Sequence, residues 1–466
     1  MIQPKSCLNN NKFGLAAVLA KRSLARKSLA RKGFSFALCL FCLAVALIFS
    51  SCGNKKNEPL IIWTDIPEFA SYAELFNKEH NDAKAVVVFK QEPARSMPPL
   101  EDEIQPDLVV SSWLKNSSTR KYFLPLDYMF SGGLLQKSEF YSKLLDYGLM
   151  NSKQYLLPVS FNLDAVMFRK KNETLVTDDH FITLDGIKKL SSEFNKKNED
   201  GSFECMGFAP SWDGDFLYLA SRMNGASYVE KKEHFGWDAD ALKNTAEYMK
   251  AWTQQCDSDT ETELNFQFKY LYMPKYKQFS ADRCFFAFIK SSDLFMLTEE
   301  QFSGLTYRWV GEEGRIMVED DIVTMGLCKF AEHKDAAQKF MEWFYTESVQ
   351  KKLLERQDSL KLDSISFGIA GGFSSLVKVN ANVYPLRYRS LLENLPMGEY
   401  LSCPNILSPR WPSLKEKVVI PYLLDCVQVK KVAAESAEAG QGSSEPKQKP
   451  IRTIEQRISA WEREAF

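Results

Sequence analysis

The chain has 466 residues, a net charge of −1 and 13% aromatic residues, and its charge is unevenly spread. Positions 1–51 hold eight basic residues and no acid, which leaves the rest of the chain at −9. Without a basic block that could follow a phosphate backbone, no nucleic-acid partner is expected, and polyanions in general are disfavoured. The part beyond position 51 exceeds what one core usually supports, so two domains are expected. Six cysteines follow Cys52 without a CxxC pair, and the four histidines are scattered, so neither a metal nor another cofactor is expected. Cys284 and Cys328 lie in apolar runs that suit reduced, buried thiols, although a disulfide stays open as an alternative.

In chain order, the first feature is the apolar run 34–49, shorter than the roughly 20 residues that span a bilayer. Basic residues from Lys5 to Lys32 precede it, and Ser50, Ser51 and Cys52 follow. This reads as a lipoprotein signal peptide over 1–51, with Cys52 as the lipidation site and 52–58 as a tether. An uncleaved anchor is the alternative. Either way residues 58 onward lie outside the cytoplasm, held to a bacterial membrane through a lipid or an apolar segment.

Residues 60–110 then alternate: the strand LIIWT, a helix over FASYAELFNKEH, the strand AVVVF and the strand DLVVSS. That order predicts a parallel sheet covered by helices. QYLLPVSF and AVMFRK are further strands. A helix is expected over 184–197, an aromatic segment over 208–219, a helix over 238–255 and the strand CFFAFI at 284–289. DIVTMGLCKF is a buried-strand candidate, and 334–357 reads as one amphipathic helix with Ala337, Phe340, Met341 and Phe344 on its inner face. Residues 433–450 are too poor in apolar side chains to order themselves. The closing stretch is helical in period, with Ile451, Ile454, Ile458 and Trp461 on one side.

Four stretches, in this order, resemble the extracellular solute-binding proteins of ABC transporters, family 1, typified by the maltose-binding protein. They are LIIWTDIPEFASYAELFNKEH, PDLVVSSWLKN, YLLPVSFNLDAVMFRKK and EDDIVTMGLCKFAEHKDAAQKFMEWFYTESVQKKLLE. The resemblance implies an α/β fold of two lobes with a hinge and a ligand cleft between them. Its lobes would be 59–161 with 326–375, and 162–325, with 376–466 packing on them as helical segments; the crossovers would fall near 160–164 and 320–326. The implied function is a solute-binding receptor, not an enzyme, which serves the transmembrane subunits of an ABC permease; the resemblance does not identify a sugar, and a small, sugar-like solute is expected because rings beside carboxylate and amide acceptors match both its apolar faces and its hydroxyls.

Candidate ligand contacts follow from where these stretches place aromatic and hydrogen-bonding groups. Trp113 ends the strand DLVVSS, where α/β sheets expose ligand sites; its ring could stack on a sugar or pack under the next loop. Asp65 and Glu68 follow the first strand, and Asp65 could instead cap the helix near Pro67. Asn162 lies at the first crossover, as a ligand contact or a turn residue. Trp212 and Asp213 open a helix in SWDGDF. Ser292 follows the strand CFFAFI, with Leu294 and Phe295 in place of the expected aromatic. Trp411, in NILSPRWPSLKEKV, either closes the cleft or belongs to the core. Two other classes remain: a lipid-anchored adhesin or structural binding protein, and a glycoside hydrolase built on pairs among Asp213, Asp215, Asp320 and Asp321.

Overall fold

A computed structural model describes residues 58–231, 234–360, 366–392, 394–430 and 451–465. The signal segment, Cys52 and residues 433–450 lie outside the described residues. No helix among the described residues is long and apolar enough to cross a membrane.

The first sheet begins with β1 (Leu60–Thr64), helix α1 (Glu68–Glu79), β2 (Ala85–Phe89) and β3 (Leu108–Ser111). β1 is flanked by β2 and β3, both parallel to it, and β1 and β3 are buried along their length. This is why their sequences read as continuous apolar runs and not as alternation. β4 (Leu156–Phe161) also belongs to this sheet.

Past Asn162 and Leu163 the chain enters the second sheet as β5 (Asp164–Arg169). This lobe adds the two-residue β6 (Phe181–Ile182), α2 (Leu184–Phe194), α3 (Gly214–Met223), α4 (Ala239–Gln255) and α5 (Thr260–Lys269). β7 (Ala287–Lys290), β8 (Leu305–Glu312) and β9 (Arg315–Met317) follow. The second sheet runs β7-β5-β8-β9 and ends on β12 (Leu401–Ser402), with β6 also pairing β8. It is largely antiparallel.

β10 (Val323–Leu327) returns to the first sheet between β3 and β4, antiparallel to both, and β11 (Phe373–Ser374) adds beyond β4. The sheet is therefore mixed, in the order β11-β4-β10-β3-β1-β2. Val323, Thr324 and Met325 belong to this first sheet, so the expected limit at residue 325 falls after the third residue of a strand of the first sheet.

Two expected elements differ. Residues 334–357 form two helices, α6 (Lys334–Phe344) and α7 (Glu347–Leu360), because Tyr345 turns into the core instead of continuing the helix. Its hydroxyl donates to Leu157 O at 3.3 Å, and Gln350 Nε2 donates to Phe344 O at 3.2 Å, satisfying a carbonyl that the break leaves open. In the C-terminal helix α8 (Ile454–Ala465), Ile454 and Trp461 are buried in the second lobe's core with Ile458 against them, while Ile451 is exposed. All six described cysteines are free.

Apolar contact also joins the lobes. Phe295 of the second lobe stacks on Phe367 with centroids 4.8 Å apart and meets Phe373 at 5.6 Å and Tyr388 at 5.9 Å; Trp309 meets Phe373 at 5.8 Å. Phe295, which with Leu294 stands in place of the aromatic that the resemblance expected, is thus core between lobes.

Candidate ligand cleft

β1 and β3 lie side by side in parallel, Thr64 opposite Val110, so their carboxyl ends open on one edge. Asp65 follows β1 there. Ser111 Oγ donates to its Oδ2 at 3.1 Å, while Oδ1 is buried without a partner. Burial raises this carboxyl above its ordinary value. Asp65 does not cap α1: Pro67 holds the cap position without a side-chain bond, and Thr64 Oγ1 accepts from Ile66 N at 3.1 Å. Glu68, in the first turn of α1, accepts from Ser366 Oγ and is engaged within its own lobe.

Trp113, just past β3, has φ +66°. That left-handed conformation is unfavourable for a bulky side chain and persists only where its surroundings hold it. Here the clamp is Asn116, whose Nδ2 donates to Trp113 O at 2.7 Å and whose Oδ1 accepts from Ser118 N and Thr119 N at 2.9 and 3.1 Å. The half-buried indole packs against the core clusters of both lobes. Beside it, Ser112 Oγ donates to Asp321 O at 2.6 Å. The Asp321 carboxyl is pushed up to about 6 by desolvation and by the Glu319 carboxylate.

Next to this position lies a recess of about 450 Å³ with walls from both lobes: Lys115, Asn116, Arg120 and Met150 on one side, Glu230, Lys231 and Ile406 on the other. Glu230 is tied to Arg410 through Oε1 at 2.6 Å, but its Oε2 is buried without a partner. The Lys115 ammonium rests 4.8 Å from the Tyr147 ring centroid, and burial lowers its proton affinity. Lys115 and Asn116 fall within the stretch PDLVVSSWLKN. Nothing in the sequence marked Arg120, Glu230 or Lys231, because only the tertiary approach of the lobes brings them together.

The crossovers carry a dense polar network of another kind. Asn162 Nδ2 donates to Gly371 O at 3.0 Å, and its Oδ1 accepts from Ser291 Oγ at 2.7 Å. Ser291 Oγ in turn accepts from Leu163 N at 3.0 Å. Asn162 therefore joins the two lobes through both ends of its amide, which leaves it one further N–H. Ser292, half-buried, sits one position beyond the serine that makes this contact.

Asp320 Oδ2 accepts from Tyr218 OH at 2.6 Å and from Trp411 Nε1 at 2.9 Å, with Arg222 Nη1 3.3 Å from Oδ1 and Lys415 Nζ 3.9 Å from Oδ2. Desolvation pushes this carboxyl up, but Arg222, Lys415 and the two hydrogen bonds outweigh it and hold it below its ordinary value. Asp164 goes the other way: burial, and after it the adjoining Glu319, raise its carboxyl well above its ordinary value. Lys290 lies 3.5 Å from Glu319 and 3.3 Å from Asp215.

Three further candidates have structural duties. Trp411 is 1% exposed, packed among Tyr218, Tyr228 and Phe235 in the second lobe's core, so it has no face for a ligand. Asp213 caps α3, accepting from Asp215 N and Phe216 N at 2.9 and 3.1 Å. Trp212 stacks on Phe266 at 5.8 Å, donates to Glu263 O at 2.9 Å and lies under the Lys275 ammonium. Of the sequence candidates, Asp65 and Trp113 share the edge of the first sheet with an unpartnered polar group or a ring that meets both lobes.

No protein-family model and no curated protein sequence matches the chain. Solved structures do match in fold. The sugar-binding protein MalE from the phytopathogen Xanthomonas citri superposes with a TM-score of 0.55 at 13% identity, over 79% of this chain and 92% of that one. The GacH receptor of Streptomyces glaucescens, solved unliganded and with acarbose, gives 0.51 at 13% identity over 80% and 93%. The galacto-N-biose-/lacto-N-biose I-binding protein of the ABC transporter from Bifidobacterium longum gives 0.50 at 13% identity over 80% and 93%. At this level of identity the likeness establishes the architecture: the chain has the two-lobe fold of these ABC substrate-binding proteins.

Proposed function

We propose that the protein is a membrane-anchored, extracytoplasmic receptor of an ABC importer, which holds a small sugar-like solute between its lobes and passes it to the permease's transmembrane subunits. The observation that carries this is Trp113: a ring held in a left-handed conformation at the carboxyl end of a parallel strand, in contact with both cores, beside an inter-lobe recess. Sugars combine apolar C–H faces with dense hydroxyls. An indole with nearby unpartnered acceptors, Asp65 Oδ1 and Glu230 Oε2, offers a counterpart to each. The sugar-binding proteins that share the fold support the class of ligand, and the signal segment ending at Cys52 supports the lipid tether.

The test is a thermal-shift screen with glucose, maltose, maltotriose, mannobiose and lacto-N-biose, followed by titration of Trp113→Ala. A ligand at 100 times its Kd stabilises by about 2.7 kcal/mol. Trp113→Ala is expected to weaken binding by roughly ten- to hundredfold, the loss of about 1–3 kcal/mol, with the melting temperature of the empty protein nearly unchanged. If affinity survives while the empty protein loses several degrees, Trp113 is a core residue and the site is elsewhere.

A further inference from the structure

The inter-lobe recess has a charge opposite to that of the chain around it. Lys115, Arg120 and Lys231 line it, the first two from one lobe and the third from the other. None of the three has a carboxylate partner among the described residues, although ion pairs are common elsewhere in the chain. The one acid in the wall, Glu230, is already neutralised by Arg410 at 2.6 Å. Lys115 is half-buried and held over Tyr147, so its cation is partly stripped of water, with the nearby Asp146 carboxylate acting on it only from beyond ion-pair distance. Partial desolvation of a cation is costly unless an anion supplies what water no longer does.

We propose that this recess binds the anionic group, carboxylate or sulfate, of a short acidic saccharide, whose ring stacks on Trp113. This rests on the solute-receptor reading above and specifies its ligand. The overall charge of −9 beyond position 51 opposes a long polyanion spread over the surface, but not a single anionic group placed where the local charge is positive. The arrangement also accounts for closure. Lys115 and Arg120 on one lobe and Lys231 on the other can engage one anion together only when the lobes are near, so the ligand binds the closed form better and shifts the population toward it. Charge-assisted hydrogen bonds are about twice as strong as neutral ones, so they select the acid over its neutral analogue.

The full-length protein is titrated calorimetrically with digalacturonate, a sulfated chondroitin disaccharide, maltose, and sodium phosphate or sulfate alone, at 50 and 300 mM salt. The expected result is at least tenfold tighter binding of an acidic disaccharide than of maltose, with the margin shrinking at high salt. Lys115→Met and, separately, Lys231→Met are expected to remove about tenfold of that margin, and Lys115→Arg to retain most of it. Lys231 is exposed, so its variant folds whether or not Lys115 is needed for packing. Maltose binding as tightly as the acids overturns this inference and leaves the receptor reading standing. Binding of no saccharide overturns both. Phosphate alone binding as tightly as the acidic sugars shows an anion site and overturns the saccharide. An acid preference that both lysine variants keep places the anion elsewhere and overturns the assignment to this recess.

Discussion

Asp320→Ala removes the acceptor that ties the second crossover to the second lobe, and the structure sets the scale of the loss. Its Oδ2 accepts from Tyr218 OH and Trp411 Nε1 at 2.6 and 2.9 Å, and Arg222 lies 3.3 Å from Oδ1 with 9% of its side chain exposed. Without Asp320 a buried guanidinium faces no carboxylate, although Arg222 Nη2 keeps Val318 O at 2.8 Å. Breaking a buried pair by removing one partner costs about 3–5 kcal/mol, and the two orphaned donors overlap with that figure instead of adding to it. An unfolding entropy of about 2.1 cal/mol/K per residue over roughly 400 residues gives about 0.9 kcal/mol/K, so 4 kcal/mol lowers Tm by about 5 °C. If the second lobe melts alone, the shift is nearer 10 °C. Differential scanning calorimetry at pH 7 measures it. Asp320→Asn, which keeps an oxygen for Tyr218 and Trp411 but loses the charge facing Arg222, should fall between variant and parent. Asp320→Leu combined with Arg222→Met should recover part of the loss, since it removes the unpaired Arg222 charge but still strands the Tyr218 and Trp411 donors. Because the folded carboxyl is held below its ordinary value, its contribution is present above about pH 4 and disappears as acid carries the pH through the lower folded value. A Tm loss under about 1 °C for Asp320→Ala would refute the account.

Other consequences are independent of this site. Burial raises the Glu263 carboxyl from 4.5 to about 7, so its favourable protonated state is present at low pH and is lost as pH rises through 7, at a cost of about 3 kcal/mol; urea midpoints should fall between pH 5 and 8 in the parent and stay flatter in Glu263→Gln. Gly207→Ala would place a Cβ 2.3 Å from Ser191 Cα in α2, which must move backbone, so a destabilisation of about 1–3 kcal/mol or more is expected in urea titration; an unchanged midpoint would contradict the contact. Trp411→Ala should cost about 3–5 kcal/mol as a fully buried ring, seen as a lower Tm of the empty protein, whereas a ligand-stacking role would leave that Tm alone.

The strands of the first sheet were legible because they are buried on both faces: LIIWT and LVVS have no polar alternation to confuse with a helix. The antiparallel entry of β10 was not legible, since direction depends on the chain returning from the other lobe, and nothing in DIVTMGLCKF records it. The helix over 334–357 failed for a related reason. Its apolar period continues through the break, but the pull of Tyr345 toward Leu157 O is a contact 188 residues away in sequence. The place of Trp113 just past a strand was legible, and its left-handed backbone was not. Trp411 could not be assigned from sequence, because the same residue beside SPRW reads as a cleft or a core ring until Tyr218, Tyr228 and Phe235 are seen around it.

Hydrogen-bond accounting shows which polar residues hold the lobes. At the crossovers each candidate side chain is committed: Asn162 to Gly371 and Ser291, Asp320 to Tyr218, Trp411 and Arg222, Asp213 to the first turn of α3. Buried polar groups are almost always satisfied, and most of those at the crossovers are, although Asp320 Oδ1 and Asp164 Oδ1 are buried there without a hydrogen bond. Toward the recess, Asp65 Oδ1 and Glu230 Oε2 are likewise buried without partners, and Lys115, Arg120 and Lys231 have no carboxylate within ion-pair distance among the described residues. Such groups cost stability unless water or a ligand completes them, and natural proteins keep that cost mainly where it serves binding. The strained backbone of Trp113 falls at the same place. Unsatisfied acceptors, cations without ion pairs and backbone strain have different physical origins, and their occurrence around Trp113 and the inter-lobe recess is the argument for the ligand site proposed above.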